Sequence, residues 1–270
     1  MLQNAPIPDL RIVPVTAVHP HEDHDTQRSQ PLIERIRDAE WFTNPPIVSP
    51  MDDKHYVLLD GANRYHTFCH LGFQHILVQV APYDSGFVEL GVWQHVISRW
   101  TAQAFLDMLK QVTPIQLKQG WASHAAAQIL TREGDVYAVM AASATLEQRN
   151  MALRDVVRVY QKNAALHRTV MPDPLRIWQY YPDAAAIVLF PDYHPEDIIE
   201  AARHKAFLPP GVSRHIIQGR ALRLNYPIAE IKSTDKSLPV KNAELQEWLR
   251  HRLANRSVRY YAESTYQFDE

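Results

Sequence analysis

The chain has 270 residues, is 46% hydrophobic and 21% charged, and carries a formal net charge of -2. It has the apolar material for one large domain or two modest ones, and it lacks the basic excess that neutralises a nucleic-acid backbone, which weighs against a DNA or RNA partner. The single cysteine, Cys69, excludes an internal disulfide and a cysteine-based zinc cage.

No cationic leader followed by an apolar core opens the sequence, and no run approaches the roughly 18 apolar residues of a membrane span. A cytoplasmic protein without a membrane partner is the expectation. Leu10 to Val15 is a short β-branched run and predicts a strand. Pro31 to Phe42 has helical apolar spacing, with Pro31 at the favoured first position. Ile47-Val48 and Tyr56 to Leu59 predict two strands joined by a turn-rich link. Asn63 to Leu71 predicts a helix ended by Gly72, and His75 to Val80 a buried strand. The order β-α-β-β-α-β over the first 80 residues predicts a compact α/β unit.

Further on, Val88 to Leu109 reads as helical. His124 to Thr131 and Asp135 to Met140 read as strands joined by a hairpin turn at Arg132-Glu133-Gly134. Thr145 to Ala165 is the clearest helix, with Leu146, Met151, Leu153, Val156, Val157 and Tyr160 on one broad face. Ile187 to Phe190 predicts a strand and Pro195 to Lys205 a helix. Gly211 to Pro227 carries alternating apolar residues, Asn242 to Ala254 is amphipathic, and Val258 to Tyr266 reads as a last strand. The expected division is an N-terminal lobe, residues 1–85, and a larger mixed α/β lobe, residues 86–270, packed against it. A ligand cleft between the lobes is the default expectation.

The stretch from Leu58 to Tyr65 carries the most chemistry. An apolar strand ends in Asp60-Gly61, and a helix begins at once through Ala62 and Asn63. The first turn of a helix offers unpaired N–H groups and the positive end of its dipole, a ready anion site. Gly61 allows a tight reversal and close approach of a phosphate. Arg64, one turn in, suits bidentate contact with phosphate oxygens. The same residues also suit a plain strand-turn-helix with Asp60 as the cap. A second stretch, His19 to Asp25, is a loop of imidazoles and carboxylates whose spacing matches no standard zinc pattern. A third pairs Trp93 with His95. A fourth, Ser213-Arg214-His215 after Pro209-Pro210-Gly211, presents three polar side chains on a stiff loop, suited to a carboxylate or phosphate.

The run DGANRYHTFCHLG with the following ILVQV resembles the D-G-x-H-R signature of the ParB/sulfiredoxin superfamily, and RIVPVTAVHPHE resembles its opening strand and loop. Within it the chain looks most like the free serine kinases, including those associated with siderophore precursors. Trp93-Gln94-His95, Pro210 to Ile217 and Gly219 to Leu222 extend the likeness. The resemblance implies a fold of α/β (α+β) class, with a ParB/sulfiredoxin-like N-terminal nucleotide-binding domain and a second mixed α/β lobe.

It also implies transfer of a phosphoryl group from ATP or ADP, with Mg²⁺, to the hydroxyl of free L-serine or a close hydroxy amino acid. In that reading Glu22 is the base and Asp60 positions the metal or its waters. Gly61, Ala62, Asn63 and Arg64 cradle phosphate, with Arg28 within reach of it. Trp93, His95, Ser213, Arg214 and His215 meet the substrate. A carboxylate is chemically suited to accept a hydroxyl proton as the phosphoryl group arrives. Asn63 stands where the signature has histidine, so this position donates hydrogen bonds without carrying charge. Two alternatives share the loop. A ParB-like nucleotide-binding regulatory or DNA-binding protein would bring short helices after the first domain. A sulfiredoxin-like reductase needs cysteine where this chain has Ala62.

Overall fold

The structure is a computed structural model, and it describes residues 7–24, 26–113 and 115–261, with backbone only at 26–28. In chain order the elements are β1 (Asp9–Pro14), β2 (Val18–Pro20), α1 (Thr26–Arg37), β3 (Trp41–Phe42), β4 (Ile47–Pro50), β5 (Tyr56–Asp60), α2 (Ala62–His70) and β6 (His75–Val80). There follow β7 (Val88–Val92), β8 (Gln94–Ser98), α3 (Ala102–Leu109), β9 (Gln116–Gln119), β10 (Ala127–Thr131), β11 (Val136–Met140), α4 (Leu146–Asn163) and β12 (Ala165–Thr169). The last are α5 (Pro174–Tyr180), β13 (Ala184–Leu189), α6 (Pro195–Arg203), β14 (Ser213–Ile217), β15 (Tyr226–Pro227), α7 (Ile228–Lys232) and α8 (Leu238–Ala254).

Two compact units form, and they are not the two consecutive segments expected from the sequence. One gathers residues 1–19, 24–89 and 216–270; the other gathers residues 20–23 and 90–215. The chain passes from the first to the second within β7 and returns within β14.

The first unit holds a five-stranded sheet in the order β1-β6-β4-β5-β2. β1 runs antiparallel to β6 from Asp9 opposite Val80 to Pro14 opposite His75, and β4 is antiparallel to β5 but parallel to β6. Leu10, Ile12, Val48, Leu58, Phe68 and Leu77 form the heart of its core. The far end of the chain belongs here for a definite reason. β1 is an edge strand, and an edge leaves N–H and C=O groups unpaired. Asn242 on α8 accepts from the Ile12 N–H at 2.9 Å and donates to the Ile12 carbonyl at 2.8 Å. Gln246, one turn on, donates to the Leu10 carbonyl at 3.0 Å. Two side-chain amides thus stand in for a missing strand.

The second unit is built on a six-stranded antiparallel sheet in the order β12-β8-β13-β10-β11-β9. α4 starts at Thr145, whose hydroxyl accepts from the Gln148 N–H, and it buries Ala152, Leu153, Val156, Val157 and Tyr160. The β10–β11 hairpin turns where expected, through Arg132 to Asp135.

Several expectations are corrected. Val88 to Leu109 is not one helix: β7 and β8 precede α3. Val96 and Ile97 are β-branched and fully buried in the middle of a sheet, where such residues pack best. α1 begins five residues before Pro31 and ends at Arg37, so Pro31 costs it one internal bond. Trp41-Phe42 leaves the helical pattern to pair with Tyr226-Pro227. Val258 to Tyr261 forms no strand, and the rest of that predicted strand lies outside the described residues.

Candidate active site

In the first unit, β5 ends at Asp60 and α2 begins at Ala62. The cap of α2 is Gly61, with φ +97°, and no side chain caps the helix. Asp60 is therefore not the cap, and the positive end of the α2 dipole faces this turn. A Cβ on Gly61 would stand 3.1 Å from Pro46 and 3.2 Å from the Arg64 guanidinium, so this corner admits only glycine without rearrangement.

Arg64 folds back over the turn. It donates to the Asn44 carbonyl at 2.7 Å and to Asp60 Oδ2 at 3.1 Å. Arg220 also donates to Asp60 Oδ2. Two guanidiniums on one carboxylate leave an excess positive charge beside the helix N-terminus, the polarity that suits a polyanion. Arg220 is itself strapped in place. Gln79, buried on β6, donates to the Gly219 carbonyl at 3.0 Å and accepts from the Ala221 N–H at 2.8 Å. Asn44 Oδ1 accepts from the Arg223 N–H at 3.0 Å. Asn63 lies in the first turn of α2, and its carbonyl accepts from the Thr67 hydroxyl. Arg28 lies in the first turn of α1, and only its backbone is described.

In the second unit, Glu22 is placed by its own backbone neighbours. The Leu208 N–H donates to the His21 carbonyl at 2.8 Å, and the Asp23 N–H donates to the Leu208 carbonyl at 3.1 Å. This parallel bridge fixes the direction of the Glu22 side chain. Glu22 Oε2 accepts from the Gly211 N–H at 3.2 Å. α4 anchors the partner segment, since Asn150 and Arg154 donate to the carbonyls of Ala206 and Phe207.

His95 is fully buried on β8. Its Nε2 meets the Gly211 carbonyl at 2.8 Å and its Nδ1 meets the Tyr160 hydroxyl at 2.6 Å. A carbonyl only accepts, so Nε2 carries the proton and Nδ1 accepts from the tyrosine. Burial pushes the imidazole down to about 4, and the nearby Arg168 charge adds to the effect. His95 is thus a neutral strut beneath Gly211, and the expected substrate contact gives way to one with the protein. Trp93 donates its N–H to the Val212 carbonyl at 2.9 Å, and the Arg214 guanidinium lies 4.8 Å from its ring centroid. Ser213, nearly buried, shares a 2.7 Å hydrogen bond with the buried His21, and His215 sets its ring edge-on to His21 at 5.3 Å. The structure therefore gathers Glu22, Trp93, His95, Ser213, Arg214 and His215 in one unit, and Asp60, Gly61, Ala62, Asn63 and Arg64 in the other.

Sequence reasoning left His21, Gln79, Tyr160, Arg168 and Arg220 unassigned. Three stood in quoted stretches, the loop after His19, the run ILVQV and the run Gly219 to Leu222, and Tyr160 was read only as part of the apolar face of its helix. Arg168 had no local signal. Among the described residues no group of three or more His, Cys, Asp or Glu is placed to hold a metal, and no helix is long and apolar enough to cross a membrane. A magnesium ion needs no protein cage when it arrives on a nucleotide, because phosphate oxygens and waters fill most of its positions. Asp60 fits that limited role: both arginines take Oδ2, which leaves Oδ1 for the ion or its water.

No protein-family model matches the chain. Its fold is similar to that of free serine kinases of known structure. One, in complex with AMP, superposes with a TM-score of 0.72 at 13% identity, over 86% of this chain and 97% of its own. A glutamate-to-alanine variant bound to ADP gives 0.71 over the same shares. Along its length the chain is similar to SbnI of Staphylococcus aureus, an ATP-dependent L-serine kinase, at 24% identity over 267 residues and 97% of both chains. The structure of C-terminally truncated SbnI gives a TM-score of 0.73 at 20% identity, over 90% of this chain and 97% of that one.

Proposed function

We propose that this protein phosphorylates the hydroxyl of free L-serine, giving O-phospho-L-serine, with ATP or ADP as donor. The observation that carries the proposal is likeness to an L-serine kinase over 97% of both chains. The first unit is then a ParB/sulfiredoxin-like nucleotide domain. Its uncapped α2 N-terminus, with Arg64 and Arg220 gathered on Asp60, takes the donor phosphates. Asp60 would help hold a magnesium ion brought by the nucleotide, which would neutralise phosphate charge.

Phosphoryl transfer asks a protein for positioning and charge stabilisation more than for covalent chemistry. Glu22 accepts the serine Oγ proton as Oγ bonds to the terminal phosphorus and the bond to the departing nucleotide breaks. Its link to the Gly211 N–H fixes one carboxylate oxygen and aims the other. Trp93, Arg214, Ser213 and His215 border the acceptor, while His95 holds the loop that carries them. A cytoplasmic role in supplying phosphoserine to a specialised amino-acid or siderophore route completes the proposal.

Phosphorus NMR of the purified protein with Mg²⁺, L-serine and either ATP or ADP tests it. A phosphoserine resonance that vanishes in Glu22→Ala, while that variant still binds nucleotide, is the expected result. Folded protein that makes no phosphoserine with either nucleotide overturns it.

A further inference from the structure

β8 and β12 are antiparallel neighbours, and Arg168 sits directly opposite His95 in their register. Side chains at opposed positions leave a sheet on the same face. His95 reaches the Gly211 carbonyl, and Arg168 reaches the same turn. Its Nη2 donates to the Pro210 carbonyl at 3.2 Å. Its guanidinium carbon lies 2.0 Å from where a Cβ on Gly211 would stand, so the cation lies against that residue, and a side chain there would displace the guanidinium and strain a backbone at φ +77°. The Gly211 N–H in turn holds Glu22.

A guanidinium has five donors in a planar fork. Among the described residues Arg168 uses one of them, on Pro210, and it pairs with no carboxylate. An exposed arginine fixed by backbone, with its remaining donors and its charge uncommitted, is arranged for an anion from outside the protein.

We propose that Arg168 is the specificity-determining residue that binds the carboxylate of the amino-acid acceptor. This rests on the kinase reading above. The acceptor's carboxylate lies two bonds from the carbon bearing its reacting hydroxyl, so its partner belongs near the base, and Arg168 and Glu22 both meet the Pro210-Gly211 turn. Arg168 then explains why the acceptor is a free amino acid and not any primary alcohol. It also gives Gly211 a purpose, since the residue carries the base on its N–H and admits the carboxylate's partner at its Cα.

The test compares acceptors as well as variants. Wild type, Arg168→Lys and Arg168→Gln are assayed with L-serine and with L-serine methyl ester, which keeps the hydroxyl and the amine and lacks the anion. Circular dichroism and thermal melting confirm that each variant is folded. In Arg168→Gln the KM for L-serine should rise by roughly tenfold to a hundredfold, the worth of a charge-assisted pair, with kcat little changed. Arg168→Lys should fall between the two. The ester should be a poor acceptor for wild type and no poorer for either variant. An unchanged KM for serine in a folded Arg168→Gln, or equal losses for serine and ester, overturns the assignment of the carboxylate to Arg168. A wild type that turns over neither acceptor overturns the kinase reading itself and is distinguishable from both.

Discussion

At Gly211 three constraints fall on one residue: its carbonyl rests on His95, its N–H holds Glu22, and its bare Cα admits Arg168. The His95 strut has a consequence for pH. The ordinary histidine value is 6.5 and the folded one about 4. Below 6.5 the unfolded chain takes up a proton that the native state refuses, so stability falls as pH drops from 6.5 towards 4 and this contribution is level outside that window. The expected loss is about 3 kcal/mol across it. Denaturant unfolding at stepped pH should show that decline in wild type and a smaller one in His95→Gln. Gly61→Ala should lower unfolding free energy by about 1–3 kcal/mol, because alanine at φ +97° is strained and meets Pro46. Glu22 stood out only through the family resemblance, whereas Gly61 and Arg64 were legible because chain order alone sets a strand end, a turn and a helix start side by side. Arg168 and Gln79 were not, since what they touch lies 42 and 140 residues away.

Among the elements, the edge of β1 is the informative case. Its amphipathic partner, α8, was visible as a pattern, but that pattern does not say which strand it covers. Asn242 and Gln246 read as ordinary exposed-face residues until their hydrogen bonds to Ile12 and Leu10 are seen. Asn242→Leu should therefore cost about 2 kcal/mol or more, since it strands two backbone groups of Ile12 away from water. Urea denaturation measures it. A neutral result would mean that water replaces the amide. The segment from Val88 was misread for a related reason. Short apolar runs buried on both faces fit helix and strand alike, and only the neighbours β12 and β13 decide for β8.

The molecule as a whole is assembled from two units, one of which is interrupted by the other. Apolar periodicity predicted a lobe from the first 80 residues, and those residues do supply all five strands of its sheet. It did not predict that Tyr226, Ile228, Ile231 and Leu245 complete the same core, because no short window spans that separation. A fragment ending at Glu89 should accordingly melt without a cooperative transition, whereas the full chain melts sharply. Calorimetry on the two distinguishes this from an autonomous first lobe.

That interruption acts on the protein while it is being made. β1 leaves the ribosome early, but the residue that satisfies its free edge follows 230 positions later. At about 5–20 residues per second the wait is roughly 10 to 50 seconds. Throughout it the nascent chain displays an open strand edge, the template on which chains pair wrongly. A shorter delay, over 160 positions, withholds Arg220 from Asp60. A polypeptide whose synthesis stops after β14 has every strand of its first sheet and neither the cover for its edge nor the second arginine of its phosphate turn.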